Sequence, residues 1–285
     1  MRSWLPVVAA SLALQATVAR ADRDPLSGAP LPPGEVSVPS PITDHFYLSA
    51  SFFDPGYRTS VRADPTQPSA VLYGTPLNGE HDLGFPGHQQ LGEVEAMLRM
   101  RERNRLRVDY FESDRSGGVL IGNPVIFGNQ TFPAGTQLAS SFDWRLITVT
   151  YTYSFWRSDR LEIGSGLAGY AVQLTAQLQA PATFQQQTVS ASGAVPAIPL
   201  DVSWRVSRRF SLTARAAYFR ATVKGDFGEV IDLHSDAQFR WNANLTTGVG
   251  YWSTRTALTR SSTSTSPGVV HFDINGPEAF VRFSF

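Results

Sequence analysis

Residues 198–206 read Ile198-Pro199-Leu200-Asp201-Val202-Ser203-Trp204-Arg205-Val206. Ile198, Leu200, Val202, Trp204 and Val206 fall in one phase; Asp201, Ser203 and Arg205 fall in the other. A period of two places these sets on opposite faces of a strand. The pattern recurs at 231–241, where Ile231, Leu233, Ala237, Phe239 and Trp241 oppose Asp232, His234, Asp236, Gln238 and Arg240. It recurs at 147–155, where Ile147, Val149, Tyr151, Tyr153 and Phe155 alternate with Thr and Ser, and in the closing run with Val281, Phe283 and Phe285.

Strands with unlike faces build either a soluble sandwich, apolar side inward, or a transmembrane barrel, apolar side toward lipid. Three features select the barrel. Many runs reach ten or more residues, the length a tilted strand needs to cross a bilayer. The non-apolar faces carry charges of both signs in mid-strand: Glu93, Glu95, Arg99, Arg107, Asp109, Asp201, Arg205, Arg215, Asp236, Arg240 and Arg282. Short polar connections at 101–104, 157–160, 207–209 and 242–244 alternate with longer Gly, Pro, Ser and Gln-rich ones at 54–90, 116–139, 179–196, 224–228 and 261–268, matching periplasmic turns and extracellular loops. Aromatics at strand ends (Phe155/Trp156, Trp204, Phe210, Trp241, Tyr251/Trp252, Phe283/Phe285) suit interfacial girdles.

The expectation is an all-β, closed antiparallel transmembrane barrel of about ten strands, with eight and twelve as alternatives. The strands fall near 45–53, 91–100, 105–115, 141–156, 161–178, 197–206, 210–223, 229–241, 245–260 and 269–285. Residues 93–102 also fit a helical stripe through Leu91, Val94 and Leu98; the alternation of Val94, Ala96, Leu98 and Met100 with charged positions favours a strand.

The chain of 285 residues balances 24 Lys plus Arg against 24 Asp plus Glu, which excludes a basic nucleic-acid-binding domain. It has no Cys, so disulfide frameworks and thiol catalysis are excluded. Arg2, the apolar run from Leu5 to Leu14 and Ala19-Arg20-Ala21 read as a secretory signal spanning 1–21. Residues 22–43 are a Pro-rich periplasmic lead-in, and 44–285 form the barrel.

With these features on one chain, the sequence resembles small outer-membrane β-barrel proteins of Gram-negative bacteria. The resemblance implies an outer-membrane location, lipid and lipopolysaccharide as surroundings, and a C-terminal signal at Val281, Phe283 and Phe285 read by the barrel-assembly machinery. Gly74-Thr75-Pro76-Leu77, Asp82-Leu83-Gly84-Phe85, residues 129–135 and Tyr151-Thr152-Tyr153-Ser154-Phe155 resemble segments recurring in a proteobacterial set of such barrels without established activity.

Three candidate activities follow. A ten-stranded barrel is narrow enough for side chains to fill, so its charges are expected to pair into a plug, with a narrow pore for small solutes as the alternative. Loop 54–90, with Tyr57, Arg58, Arg62, Tyr73, His81, Asp82 and Phe85, is expected either to contact ligands or to cap the mouth. The pair Asp232 and His234, facing Glu93 and Glu95, loosely resembles the omptin outer-membrane proteases, which combine an Asp–His couple with an acidic couple; here Glu stands in place of Asp. His45, His81, His88, His234 and His271 show no metal-ligand spacing, so neither a metal nor a cofactor is expected. The leading expectation is a non-enzymatic structural or surface-interaction role.

Overall fold

The computed structural model describes residues 40–66, 73–223, 225–261 and 267–285; the proposed signal 1–21 and most of the lead-in lie outside the described residues. Ten strands close into one antiparallel barrel. In chain order they are β1 (Phe46–Phe53) with its continuation β2 (Gly56–Ala63), then β4 (Leu91–Arg101), β5 (Asn104–Leu120), β8 (Gln137–Arg157), β9 (Leu161–Ala180), β10 (Gln185–Arg205), β11 (Phe210–Val223), β12 (Asp226–Arg240), β13 (Leu245–Arg260) and β14 (Gly268–Ser284). Outside this wall lie β3 (Leu77–Asn78), the single helical turn α1 (Gly79–Asp82) and a hairpin of β6 (Val125–Phe127) with β7 (Gln130–Phe132).

Closure is made twice along β14. Its C-terminal half pairs with β1, from Phe53↔Glu278 to Tyr47↔Ser284, and its N-terminal half pairs with β2, from Gly56↔Asn275 to Ala63↔Gly268. The jog between β1 and β2 is at Asp54-Pro55, where proline supplies no ladder N–H. Gly276 faces the jog, and a Cβ there would stand 2.6 Å from the Pro55 Cα.

Outward positions are apolar over a limited height: Leu106, Val108 and Tyr110 on β5; Ile147 to Phe155 on β8; Ile198 to Trp204 on β10; Val249 and Tyr251 on β13. A nine-residue stretch such as 198–206 rises about 23 Å at ~3.3 Å per residue and ~40° tilt, matching the apolar band of such barrels. Above the band the outward face turns polar: Glu112, Arg145, Gln173, Arg220, Glu229, Arg255 and Asp273. Near the opposite rim, Phe155, Trp156, Trp204, Phe210, Phe239, Trp241, Phe283 and Phe285 are exposed as a girdle. Phe155 and Trp156 both face outward because the β8–β9 register shifts between Ser154 and Trp156.

Residues 93–101 belong to strand β4, paired with β1 and β5, and Glu102 begins the turn. Several expected loops are corrected. Residues 116–120, 137–139 and 185–196 extend the barrel wall above the band. Residues 226–228 belong to β12, with pairing to β11 maintained to Val223↔Asp226 and Gly225 at φ 86°. Residues 54–90 contain β2, β3 and α1. Residues 116–120 and 185–196 are rich in Gly, Ser, Thr and Gln, so apolar alternation is weak there although the backbone ladder continues. Trp252 is a second correction: it is 4% exposed and points inward, while its neighbour Tyr251 is in the outer girdle.

Val249 is outward, 63% exposed and within the apolar band. Val249→Arg is expected to destabilise folding into lipid vesicles by about 2–4 kcal/mol, as read by urea titration, whereas Gln173→Arg above the band should be close to neutral.

Candidate functional site

The inward faces converge on a lumen whose periplasmic half is charged. Arg99 of β4 makes a bidentate pair with Glu162 of β9 at 2.8 and 3.0 Å, and both side chains are almost fully buried. Arg105 bridges Glu162 at 3.8 Å and Asp201 at 3.5 Å; Arg107 reaches Asp201 at 3.3 Å and Asp109 at 3.7 Å. Glu95 gathers Arg215, Arg282 at 3.6 Å and the Tyr47 hydroxyl. Arg282 also donates to Gln238, which donates to Asp236 at 2.6 Å. Planar guanidinium groups suit this network because each presents several donors to carboxylates on different strands.

The floor of the lumen is the start of the described chain. Asp44 accepts hydrogen bonds from Arg240 and from Ser284 at 2.9 Å. Its carbonyl accepts from Arg99 at 3.1 Å, and the Ile42 carbonyl accepts from Arg157 at 3.1 Å. Residues 40–44 therefore close the periplasmic mouth, with Ser40, Ile42 and Asp44 buried.

Above the charges the filling changes to aromatic. Phe53, Phe111, Trp144, Trp252 and Phe272 pack with ring centroids 4.6–5.1 Å apart, joined by Phe142 at 5.4 Å from Phe272. The expectation of a charge-paired lumen thus describes the lower half, and an apolar layer that alternation alone did not reveal fills the upper half. A cavity of about 40 Å³ between the layers is lined by Glu93, Arg107, Asp109, Asp232 and His234, and one of about 30 Å³ within the charged half is lined by Pro41, Tyr47, Arg105 and Arg282. Each has room for a few waters at most. Asp201 lines both cavities.

The extracellular mouth is capped from within. Arg115 of β5 reaches Glu80 at 2.8 Å, the Pro86 carbonyl and Thr59, and stacks over Tyr57 at 4.2 Å. Leu83 and Phe85 insert beneath the cap, and the Leu83 carbonyl accepts from Ser140 at 2.6 Å. Gly117 allows this approach, since its Cβ would stand 2.5 Å from Gly84. Residues 74–77 and 129–135 also meet here: the Thr75 N–H and hydroxyl pair with Ile126 at 2.8 and 2.9 Å, and Asn129 bonds Thr66, whereas residues 151–155 lie in the membrane wall of β8. Within the cap, burial raises the Asp82 pKa, but hydrogen bonds from the His81 ring and the Asn78 N–H outweigh it and hold the carboxyl below its ordinary value.

All eleven charges singled out in the sequence project inward, as do Asp232 and His234. Arg105, Glu162, Glu278, Arg115, Glu80 and Asp44 join the ion pairs and were missed. Glu162 and Glu278 are legible by phase, whereas Glu80 and Asp44 lie outside the long strands. Asp232 and His234 do not form a couple. Asp232 accepts from Trp252 at 2.6 Å and Tyr170 at 3.2 Å. An Arg215 N–H, always a donor, meets His234 Nδ1 at 2.9 Å, so the hydrogen is on Nε2 and is donated to Glu278. The imidazole lone pair that a general base would use faces a guanidinium. Glu95 is equally engaged. Among the described residues there is no cluster of His, Asp and Glu able to hold a metal ion, and no helix is long and apolar enough to cross a membrane.

These features define an outer-membrane β-barrel of the Gram-negative type. The fold is similar to that of the outer membrane protease OmpT of Escherichia coli, with a TM-score of 0.51 and 10% identity over 87% of this chain and 99% of that one. Weaker similarities link it to the attachment invasion locus protein Ail of Yersinia pestis (TM-score 0.33, 7% identity, 82% of this chain and 97% of that one). The Neisserial surface protein NspA matches at TM-score 0.32 and 12% identity, over 85% of this chain and 97% of that one. No family model matches the chain, and no curated protein matches it by sequence. At these identities the similarity is one of fold, and the protease activity of OmpT is not carried with it.

Removing one member of a buried pair strands the other, so Arg215→Met is expected to cost about 3–5 kcal/mol in equilibrium unfolding. Combining it with Glu95→Leu should cost less than the two single changes summed. A carboxyl lowered on folding contributes stability above its unfolded pKa and loses it as pH falls through the folded one. Amide exchange in α1, corrected for intrinsic rate, is therefore expected to stay constant down to about pH 4 and rise below it. Asp82→Asn should lack that acid step.

Proposed function

We propose that the protein acts as a sealed outer-membrane scaffold whose role is structural and interactive, exerted on the extracellular side. The observation that carries this reading is the double closure of the lumen, by residues 40–44 below and the 79–86 cap above, with cavities of about 40 and 30 Å³ between. A filled barrel gives a solute no continuous aqueous route, which disfavours the narrow-pore alternative. The engaged His234 ring disfavours an omptin-like hydrolase. What remains available for contact is the wall that β8, β9 and β10 raise above the apolar band, beyond lipid and lipopolysaccharide. Val281, Phe283 and Phe285 belong to this reading as the assembly signal: they are exposed on the lipid face at the periplasmic end of the closing strand.

The test is electrical. Purified protein in planar bilayers is expected to be silent at either polarity. Deleting residues 40–43 together with Arg115→Ala should introduce openings. Regular single-channel steps from the intact chain would overturn the proposal in favour of the pore.

A further inference from the structure

Within the apolar band β10 pairs on both sides: with β9, and with β11 from Ile198↔Tyr218 to Arg205↔Ser211. Above Ile198 the two strands part. Residues 185–197 continue to pair with β9, from Ala197↔Ala168 to Gln185↔Ala180, while β11 above Tyr218 pairs with β12 alone. Among the described residues no backbone hydrogen bond reaches the second edge of 185–197. One local contact is present, from the Gln187 side chain to the Thr188 carbonyl at 3.3 Å. The open edge is thirteen residues long, about 43 Å at ~3.3 Å per residue. Pro196 and Pro199 flank the parting point, and neither has an N–H to give a ladder.

A second gap in the wall is treated differently. Above Leu91 the upper part of β5 and the far side of β2 also lack a barrel neighbour, and residues 79–90 cover both. Gln89 donates to the Asp114 carbonyl at 2.9 Å, Glu80 accepts the Thr59 N–H at 2.9 Å, and the Gly87 carbonyl accepts the Tyr57 N–H at 3.0 Å. The β6–β7 hairpin meets the β10 edge at one place, where the Gln187 side chain lies beside Gly128, but the edge has no such main-chain cover. It also lacks the usual protection of an edge strand, because residues 163–200 contain no Asp, Glu, Lys, Arg or His. Only Pro196, at its base, interrupts it.

We infer that residues 185–197 of β10 are a strand-addition site for an extended, uncharged segment of another polypeptide on the extracellular side. The inference rests on the sealed-scaffold reading above. Main-chain pairing supplies affinity in this mode, and alternate side chains supply selectivity. The partly buried inner side chains Val189, Ala191 and Val195 favour an incoming strand with small apolar residues on one face and polar ones on the other. Among the described residues no segment supplies the strand itself. A second copy in the same membrane presents a β10 running the same way, toward the bilayer, which excludes antiparallel pairing between the two edges.

The probe is a labelled synthetic peptide with the sequence of residues 168–180, which already pairs with β10 antiparallel on its other side, carrying a Lys-Lys tail for solubility. It is added to the full protein in lipid nanodiscs. Saturable binding is expected, with a scrambled peptide at least tenfold weaker. In Ser190→Pro and Ala191→Pro, one proline removes an N–H facing β9 and the other an N–H facing the open edge; the edge-facing variant should lose binding at least tenfold while keeping the folded gel mobility. Because the chain has no cysteine, single Cys residues at 188–191 paired with a Cys-containing peptide should crosslink with a period of two. Absence of saturable binding, equal binding of the scrambled peptide, or binding unaffected by both prolines would overturn the inference. An electrically silent barrel that fails this test remains a sealed scaffold without a strand-addition site. Channel activity would instead remove the scaffold reading itself.

Discussion

The structure depends on one constraint: a backbone N–H or C=O in hydrocarbon must find its partner within the protein, at several kcal/mol for each one left bare. Across the apolar band the strands pair around the whole barrel, interrupted in the β9–β10 ladder only at Ile198 and Pro199 among the described residues, and β14 pairs with β1 to leave no edge. Where water replaces lipid the constraint lapses, and there the wall opens. β10 parts from β11 at Ile198, and β4 ends at Leu91 while β5 continues to Leu120. Membrane height therefore determines both where the barrel is closed and where it can offer an edge.

Closing ten strands creates a second problem, which is what to place inside. Here the answer is layered. Ion pairs built on Arg99, Arg105, Arg107, Arg215 and Arg282 fill the lower lumen, and rings of Phe53, Phe111, Trp144, Trp252 and Phe272, packed mostly edge to face, fill the upper. The boundary runs through Asp232, whose carboxylate accepts from Trp252 above while His234, two residues further down β12, joins the Arg215 and Glu278 network. A charge inside such a packed network is held in one arrangement by partners on several strands. That rigidity suits a scaffold, and it removes the free lone pair that a catalytic histidine requires.

The two closures are chemically different. Below, a carboxylate and main-chain carbonyls of residues 42–44 accept from arginines that also belong to the barrel lattice. Above, Arg115 gathers the cap through a carboxylate, a carbonyl and two aromatic faces. Residues 74–77, 82–85 and 129–135 belong to the cap region and not to the membrane wall. In this chain they serve to shut the mouth, which leaves the β9–β10 wall as the surface not committed to internal contacts.

What the sequence determined alone was the barrel, a strand number near ten and the inward and outward faces, because inside the bilayer each residue meets either lipid or lumen and period-two alternation records that choice directly. The phase of Glu95, Asp201, Arg215 and Arg282 placed them inward for the same reason. The tertiary structure alone decided which charges meet, since Arg99 and Glu162 are sixty-three residues apart and join only when the sheet curls shut. It also decided that Trp252 is lumenal, that residues 40–44 and 79–86 are plugs, and that 185–197 is strand and not loop. Above the membrane no lipid enforces alternation, so the backbone ladder extends through Gln, Thr, Ser and Gly without writing its pattern into the side chains.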